Sequence, residues 1–372
     1  MALRELKDVN TKVRRLGYFP VLLRLVQQRN LGEEVLLTRF VAWGKEKQEV
    51  LRDYIDSTGD IVPSKKTKSI TQSRRATPYA AKRYLEFGQQ VGWLTEISGM
   101  YSVTRIGRVL VMLNDPTLDR RDINPFNLPL SHRLFFAYEL WHKDGDILHT
   151  LLHHIDAAPM PLRHIQKNFN HWFYEHLTQR IQQTKIEYEH RVLLERRNNV
   201  ESWKSPERYA EHIVPPRLHW LIDLGLVTIH TSSDLAFLLT PEGKRFKEQF
   251  SSLNVLTNEW LDMNFFKAFT GTLISDRGNL KVWEDTVENA EMFNKWIHTA
   301  FKTFQRGSVA KLSFTQVVLF LSISLIVHQD IVVDKQDCLN ILSTPIRFDA
   351  NHVVETRLSA RENESYVILN PI

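Results

Sequence analysis

Residues 77–108 read TPYAAKRYLEFGQQVGWLTEISGMYSVTRIGR. Thr77 offers a side-chain N-cap, and Pro78 at the first helical position lacks only an N–H that the helix would leave unbonded anyway. The pattern predicts a helix from there to about Val91. Gly92 stops it, because glycine takes the left-handed terminal turn at no steric cost. Residues 93–97 then read as a strand, Ser98-Gly99 as a turn and 101–104 as the return strand. On the helix, Ala80, Tyr84, Phe87 and Val91 share one stripe and are expected to face a core. Tyr79, Lys82, Glu86 and Gln89 lie opposite, with Arg83 at the flank.

The flanks are basic. Lys65, Lys66, Lys68, Arg74, Arg75, Lys82 and Arg83 precede the first acid, Glu86, and Arg105 and Arg108 follow the hairpin. Residues 61–112 carry nine basic and two acidic side chains, a net +7, whereas the whole chain is +5. The positive charge therefore belongs to this one stretch, as a polyanion-binding site requires.

Further out, the pattern recurs. Gly225 ends a helix, 226–229 form a strand, 230–234 turn and 235–239 return. Both return strands run into the same signature, Thr104-Arg105-Ile106-Gly107-Arg108 and Thr240-Pro241-Glu242-Gly243-Lys244, in which threonine caps the next helix. The expectation is an internal duplication. A third copy is expected from 312 on: a helix over 314–327, a helix capped by Asp334 and running to about Leu342, and strands 353–359 and 366–369. It lacks the glycine and Thr-x-x-Gly marks.

The remaining segments read as helical. They are 18–28 and 33–57 (stripe Leu36, Leu37, Phe40, Val41, Trp43), 131–155 with a break at Asp144-Gly145-Asp146, 162–198, and 251–308 broken at 275–279. Ser205-Pro206 starts another helix, and Pro215-Pro216 opens the segment 217–224. Residues 61–75 form a basic loop, and 114–129 a Pro/Asn/Asp-rich connector. The expected division is 1–115, 116–250 and 251–372, in a mainly α protein with small β-hairpin wings.

Helix, glycine and hairpin with a basic approach resemble a winged helix-turn-helix, here in tandem. That resemblance implies double-stranded DNA as partner. Tyr79, Lys82, Arg83 and Gln89 would approach base edges, and Lys65, Lys66, Lys68, Arg74 and Arg75 would hold phosphates, with Arg105 and Arg108 beside them. In the second copy Arg217, His219 and Trp220 are expected to be exposed, with Arg217 as the DNA contact. Its turn carries no fixed positive charge. In the third copy Asp334 and Asp337 oppose Lys335, while Arg347, Arg357 and Arg361 add charge.

Residues 83–109, and 198–243 with Ser205-Pro206-Glu207-Arg208-Tyr209-Ala210 before Leu221-Ile222-Asp223-Leu224-Gly225-Leu226-Val227, are also similar to the recognition half of Fok-type type IIS restriction endonucleases. These stretches cover about a fifth of the chain. The resemblance implies DNA recognition in several parts. No nuclease segment accompanies it, so cleavage, ATP hydrolysis or regulation would come from a protein partner, as in a prokaryotic defence system or a transcription regulator. The other reading is a scaffold subunit, because tandem winged helices also bind partner ATPases.

No catalytic motif is present: neither Gly-x-x-x-x-Gly-Lys, Gly-x-Gly-x-x-Gly nor Gly-x-Ser-x-Gly occurs, and Glu5-Leu6-Lys7 lacks the strand a nuclease needs. His149 and His153 share a helical face, but Thr150 stands where a His-Glu-x-x-His hydrolase needs glutamate, so packed histidines are the simpler reading. No metal or cofactor is expected. The single cysteine, Cys338, fits a reducing compartment. The charged opening residues do not read as a secretory leader, so none is expected, and the apolar run 317–327 is too short to span a bilayer. A cytoplasmic location is expected.

Overall fold

The computed structural model describes residues 6, 9, 12–28, 31–47, 78–113, 123–231, 235–251, 257–274, 280–305, 310–359 and 364–372. The chain is mainly helical with small antiparallel sheets. In the first segment α1 (Tyr18–Gln28), β1 (Leu31–Gly32) and α2 (Glu33–Glu46) precede α3 (Pro78–Gln90). The hairpin β2 (Leu94–Ile97) and β3 (Met100–Val103) and the short helix α4 (Arg105–Met112) follow. The second segment has α5 (Leu130–His154), β4 (Met160–Pro161), α6 (Leu162–Gln183), α7 (Glu187–Glu201), α8 (Pro206–Asp223), the hairpin β5 (Val227–Thr231) and β6 (Leu235–Leu239), and α9 (Pro241–Ser251). The third has α10 (Asn258–Leu273), β7 (Lys281–Val282), α11 (Val287–Phe304), β8 (Lys311–Ser313), α12 (Phe314–Gln329), β9 (Ile331–Val332) and α13 (Lys335–Ile341). Strands β10 (Ile346–Arg347), β11 (His352–Arg357) and β12 (Tyr366–Pro371) close it.

One order of elements recurs, with insertions: helix, short strand, helix, further helix, hairpin; the second unit adds α7 between its helices, and the third adds β9 and β10. In each case the short strand pairs with the returning strand of the hairpin, giving sheets β1-β3-β2, β4-β6-β5 and, with β10 added, β10-β11-β12-β8. Leu31 lies opposite Tyr101 and Gly32 opposite Met100, as Met160 lies opposite Phe237 and Pro161 opposite Ala236. The fourth pairing, β7 with β9, is parallel.

The first two units match bond for bond at their glycines. Gly92 and Gly225 both have φ of 78°. Gly92 N–H donates to the Gln89 carbonyl and Trp93 N–H to that of Gly88; Gly225 donates to Ile222 and Leu226 to Leu221. These paired bonds satisfy the last carbonyls of a helix that only a left-handed residue can close. The Thr-x-x-Gly signature completes the corner. Thr104 Oγ1 donates to the Gly92 carbonyl (2.7 Å) and accepts from Gly107 N (3.1 Å); Thr240 Oγ1 donates to Gly225 (2.7 Å) and accepts from Gly243 N (2.9 Å). The glycine of the signature is required by space. A Cβ on Gly107 would lie 2.2 Å from the Trp93 carbonyl oxygen, and one on Gly243 1.8 Å from that of Leu226.

Two helices carry the core. α12 is apolar all round, and every residue from Phe314 to Ile326 except Thr315 is buried, as a helix without a polar face is in a packed core. It packs on α4, α5, α11 and α13. α5 runs 25 residues and bends at Asp144 (φ −144°, ψ 22°). The expected break there is a kink within one helix, because the Asp144 side chain is buried and bonded rather than solvated. Trp93 binds the first unit to α5: its ring meets Phe135 and Phe136, and its Nε1–H donates to Glu139 at 2.9 Å.

Other expectations need correction. The predicted helix 162–198 is two helices, parted at 184–186. Pro215-Pro216 do not open a helix; α8 passes through them. The carbonyls those prolines cannot bond belong to Glu211 and His212, both exposed, so water can serve them.

Candidate nucleic-acid interface

The buried stripe of α3 is Ala81, Tyr84, Leu85, Phe87, Gly88 and Val91. Phe19 packs on Tyr84, Phe87 and Trp93. With that face committed, Lys82 and Gln90 are exposed and Arg83, Glu86 and Gln89 half-buried. Beyond the helix the hairpin turns tightly through Ser98 (φ 53°) and Gly99 (φ 76°), a two-residue turn of the kind that matches strand twist. Its tip is apolar: Ile97 and Met100 are exposed and opposite each other in the register. Arg105 is exposed and Arg108 half-buried on α4. Lys65, Lys66, Lys68, Arg74 and Arg75 lie outside the described residues, as does the side chain of Tyr79.

The long polar side chains of α3 meet acids of their own unit. Lys82 Nζ lies 2.8 Å from Glu33 Oε1, Arg83 Nη1 2.6 Å from Glu86 Oε2, and Gln89 Nε2 donates to Glu96 Oε2 at 3.3 Å. Glu33 also accepts from the Tyr101 hydroxyl at 3.4 Å. The hydrogen bond and charge of Glu33 raise the Lys82 ammonium pKa. Burial, and then Glu33 and Glu96, push the Tyr101 phenol up to about 12. Nothing local in the sequence announces Glu33 as a member of this site. It reaches Lys82 only because β1 sets the start of α2 against the hairpin.

The second unit corrects the expectation for Arg217. Arg217, His219 and Trp220 are buried. Arg217 Nε donates to Asp144 Oδ2 at 2.6 Å, its Nη2 to Asp144 Oδ1 at 3.2 Å and to the Leu6 carbonyl at 3.0 Å. Trp220 Nε1–H donates to the Val13 carbonyl at 2.9 Å. Asp223 pairs with Arg15 and accepts Leu16 N–H at 2.7 Å. This face of α8 holds the N-terminal stretch of its own chain. Alignment on the glycines contains the missed signal: Arg217 stands eight residues before Gly225, as Tyr84 stands eight before Gly92, so it belongs to the buried stripe. Burial pushes Asp223 up to about 6 against the pull of Arg15. Burial likewise raises Asp144, with Arg217 opposing.

The histidines form a packed cluster with α6. His149 Nδ1 lies 3.3 Å from His176 Nδ1, and His176 Nε2 3.0 Å from Asp146 Oδ1. Arg196 bonds the other oxygen of Asp146 at 2.8 Å. Burial works against the Asp146 charge, but Arg180, His176 and Arg196 hold its pKa well below the usual carboxylate range. Burial, with His176 and His153 adjacent, pulls His149 well below the ordinary imidazole value. Among the described residues no three His, Cys, Asp or Glu side chains gather as a metal site needs. No helix among them is long and apolar enough to cross a membrane.

In comparison with known proteins, the chain matches no family model, and no curated protein or solved structure matches it significantly.

Proposed function

We propose that the three repeated units are winged helix-turn-helix modules and that the chain binds double-stranded DNA, with the first unit as principal reader. The order helix, strand, helix, helix, hairpin, with the short strand on the returning strand, supports the fold reading. The observation that carries the DNA reading is charge. The first unit leaves the polar face of α3 open and lies within the stretch of net +7. Lys82, Arg83, Gln89 and Tyr79 would face base edges. Lys65, Lys66, Lys68, Arg74 and Arg75 would hold phosphates, with Arg105 and Arg108 alongside. Arg217 leaves this set, because it is buried against Asp144. In this reading the protein is a cytoplasmic recognition subunit or regulator without its own catalytic site, and a partner supplies cleavage or ATP hydrolysis.

Duplex binding measured against salt tests it. Each phosphate contact adds about 0.9 to the slope of log affinity on log salt. Replacing Lys65, Lys66 and Lys68 with alanine should weaken binding for all sequences and flatten the slope. Absence of salt-sensitive binding by the intact chain at low ionic strength refutes the proposal. A second reading, a scaffold that binds a protein partner, is favoured by the acids that meet α3 and by exposed Ile97 and Met100 at the tip. It predicts a partner that co-purifies and is lost when Ile97 and Met100 become serine.

A further inference from the structure

Lys82, Glu33 and Tyr101 come from three elements of the first unit. Lys82 is on α3, Glu33 opens α2 and Tyr101 is on β3. Glu33 is gripped at both oxygens, by Lys82 at 2.8 Å and by Tyr101 at 3.4 Å. Tyr101 is buried, so the carboxylate is anchored from below, while Lys82 and Glu33 both keep about half of their side-chain surface in water (47% and 40%). The trio belongs to the first unit alone. In the second, the residue that opens the equivalent helix is Leu162. The residue ten before the left-handed glycine is Pro215, and the residue opposite the short strand is Phe237. All three polar members are replaced by apolar ones, although the strand pairing and the glycine corner recur. The fold therefore does not need the trio.

We propose that Glu33 is a built-in competitor for the duplex: it occupies Lys82 in the free protein and must release it when DNA docks on α3. The inference rests on the DNA reading above and adds regulation to that site. A carboxylate bonded to the central lysine of a reading helix repels phosphate and removes one cation from non-specific attraction. A surface pair of this exposure is weak enough for a docking duplex to displace it. Arg83 with Glu86, and Gln89 with Glu96, extend the same masking along the helix.

The test is fluorescence anisotropy of a labelled mixed-sequence duplex with the full chain and its Glu33→Gln, Lys82→Ala and doubly substituted forms, across a salt series. Glutamine keeps an acceptor for Tyr101, so the fold is spared. Glu33→Gln should tighten binding about three- to fivefold. The gain should vanish in the Lys82→Ala background. If Glu33→Gln changes nothing, or gains equally without Lys82, while the wild-type chain binds in a salt-dependent way, the competitor role is wrong and the DNA reading stands. If the wild-type chain shows no salt-sensitive binding, both fall together.

Discussion

Eight residues before the left-handed glycine, α3 carries Tyr84 and α8 carries Arg217. Both point inward, and both touch the N-terminal stretch: the Tyr84 hydroxyl accepts from Arg15 N–H at 3.0 Å, and Arg217 donates to the Leu6 carbonyl at 3.0 Å. The helices differ two and one positions earlier. Lys82 and Arg83 on α3 are replaced by Pro215 and Pro216 on α8. The first helix thus presents cations at its open face, while the second places Arg217 and Asp223 in internal bonds. One backbone corner, built from glycine, hairpin and Thr-x-x-Gly, serves a surface in one unit and an internal joint in the other.

The sharpest way to break the comparison is to remove each cation. Arg217→Ala leaves Asp144 and the Leu6 carbonyl without their buried partner and should cost about 3–5 kcal/mol in chemical denaturation. Lys82→Ala should change stability by less than about 0.5 kcal/mol, as surface substitutions do. Comparable losses at the two sites would refute the division.

The glycines of the signature test the other half, the sameness of the backbone. Gly107→Ala and Gly243→Ala each place a methyl group against a carbonyl oxygen. Each should destabilise by about 1–3 kcal/mol, as overpacking does. A large loss in only one unit would mean that the corners are not equivalent.

Thr104→Ala and Thr240→Ala remove the same cap twice and should each cost about 1 kcal/mol. Matching thermal shifts would show that the caps are equivalent in energy as well as in bond length.

The smallest effect is graded and belongs to the second unit. His149, His153 and His154 are all lowered from the ordinary imidazole value, burial being the largest cause in each, and His154 falls to about 4. At these three histidines the unfolded chain then binds more protons than the folded one once pH drops below about 6.5. Their contribution is complete above that pH and is lost progressively as acid is added. Asp146, also lowered, adds its own loss further down, below about pH 4. In a denaturation series from pH 8 to 4, where the raised Asp144 and Asp223 act in the opposite direction, replacing His149 with phenylalanine should make stability fall less on acidification than in the unsubstituted chain.

Much of the corner was legible. Pro78, Gly92, Ser98-Gly99 and the two Thr-x-x-Gly runs act through bonds only a few residues long, so their residue types carry the information. The helix 78–90, both hairpins, and α13 after Asp334 stand where those signals put them. What local pattern missed is long in sequence. Arginine is usually solvated, so local pattern puts Arg217 at the surface; Asp144 and the Leu6 carbonyl, brought from distant segments, join the Ile213 carbonyl of its own helix in bonding the buried guanidinium. Glu33 was missed as part of the site for the same reason.

By itself, the sequence determined the repeated corner, the mainly helical class and the concentration of positive charge in residues 61–112. Those follow from backbone geometry and composition, which act locally. Tertiary structure alone decided which face of each helix is open, which arginine becomes an internal strut and which acid meets Lys82. Burial and pairing depend on groups that meet only when separate segments pack, and the sign of a charge does not say where its partner will come from.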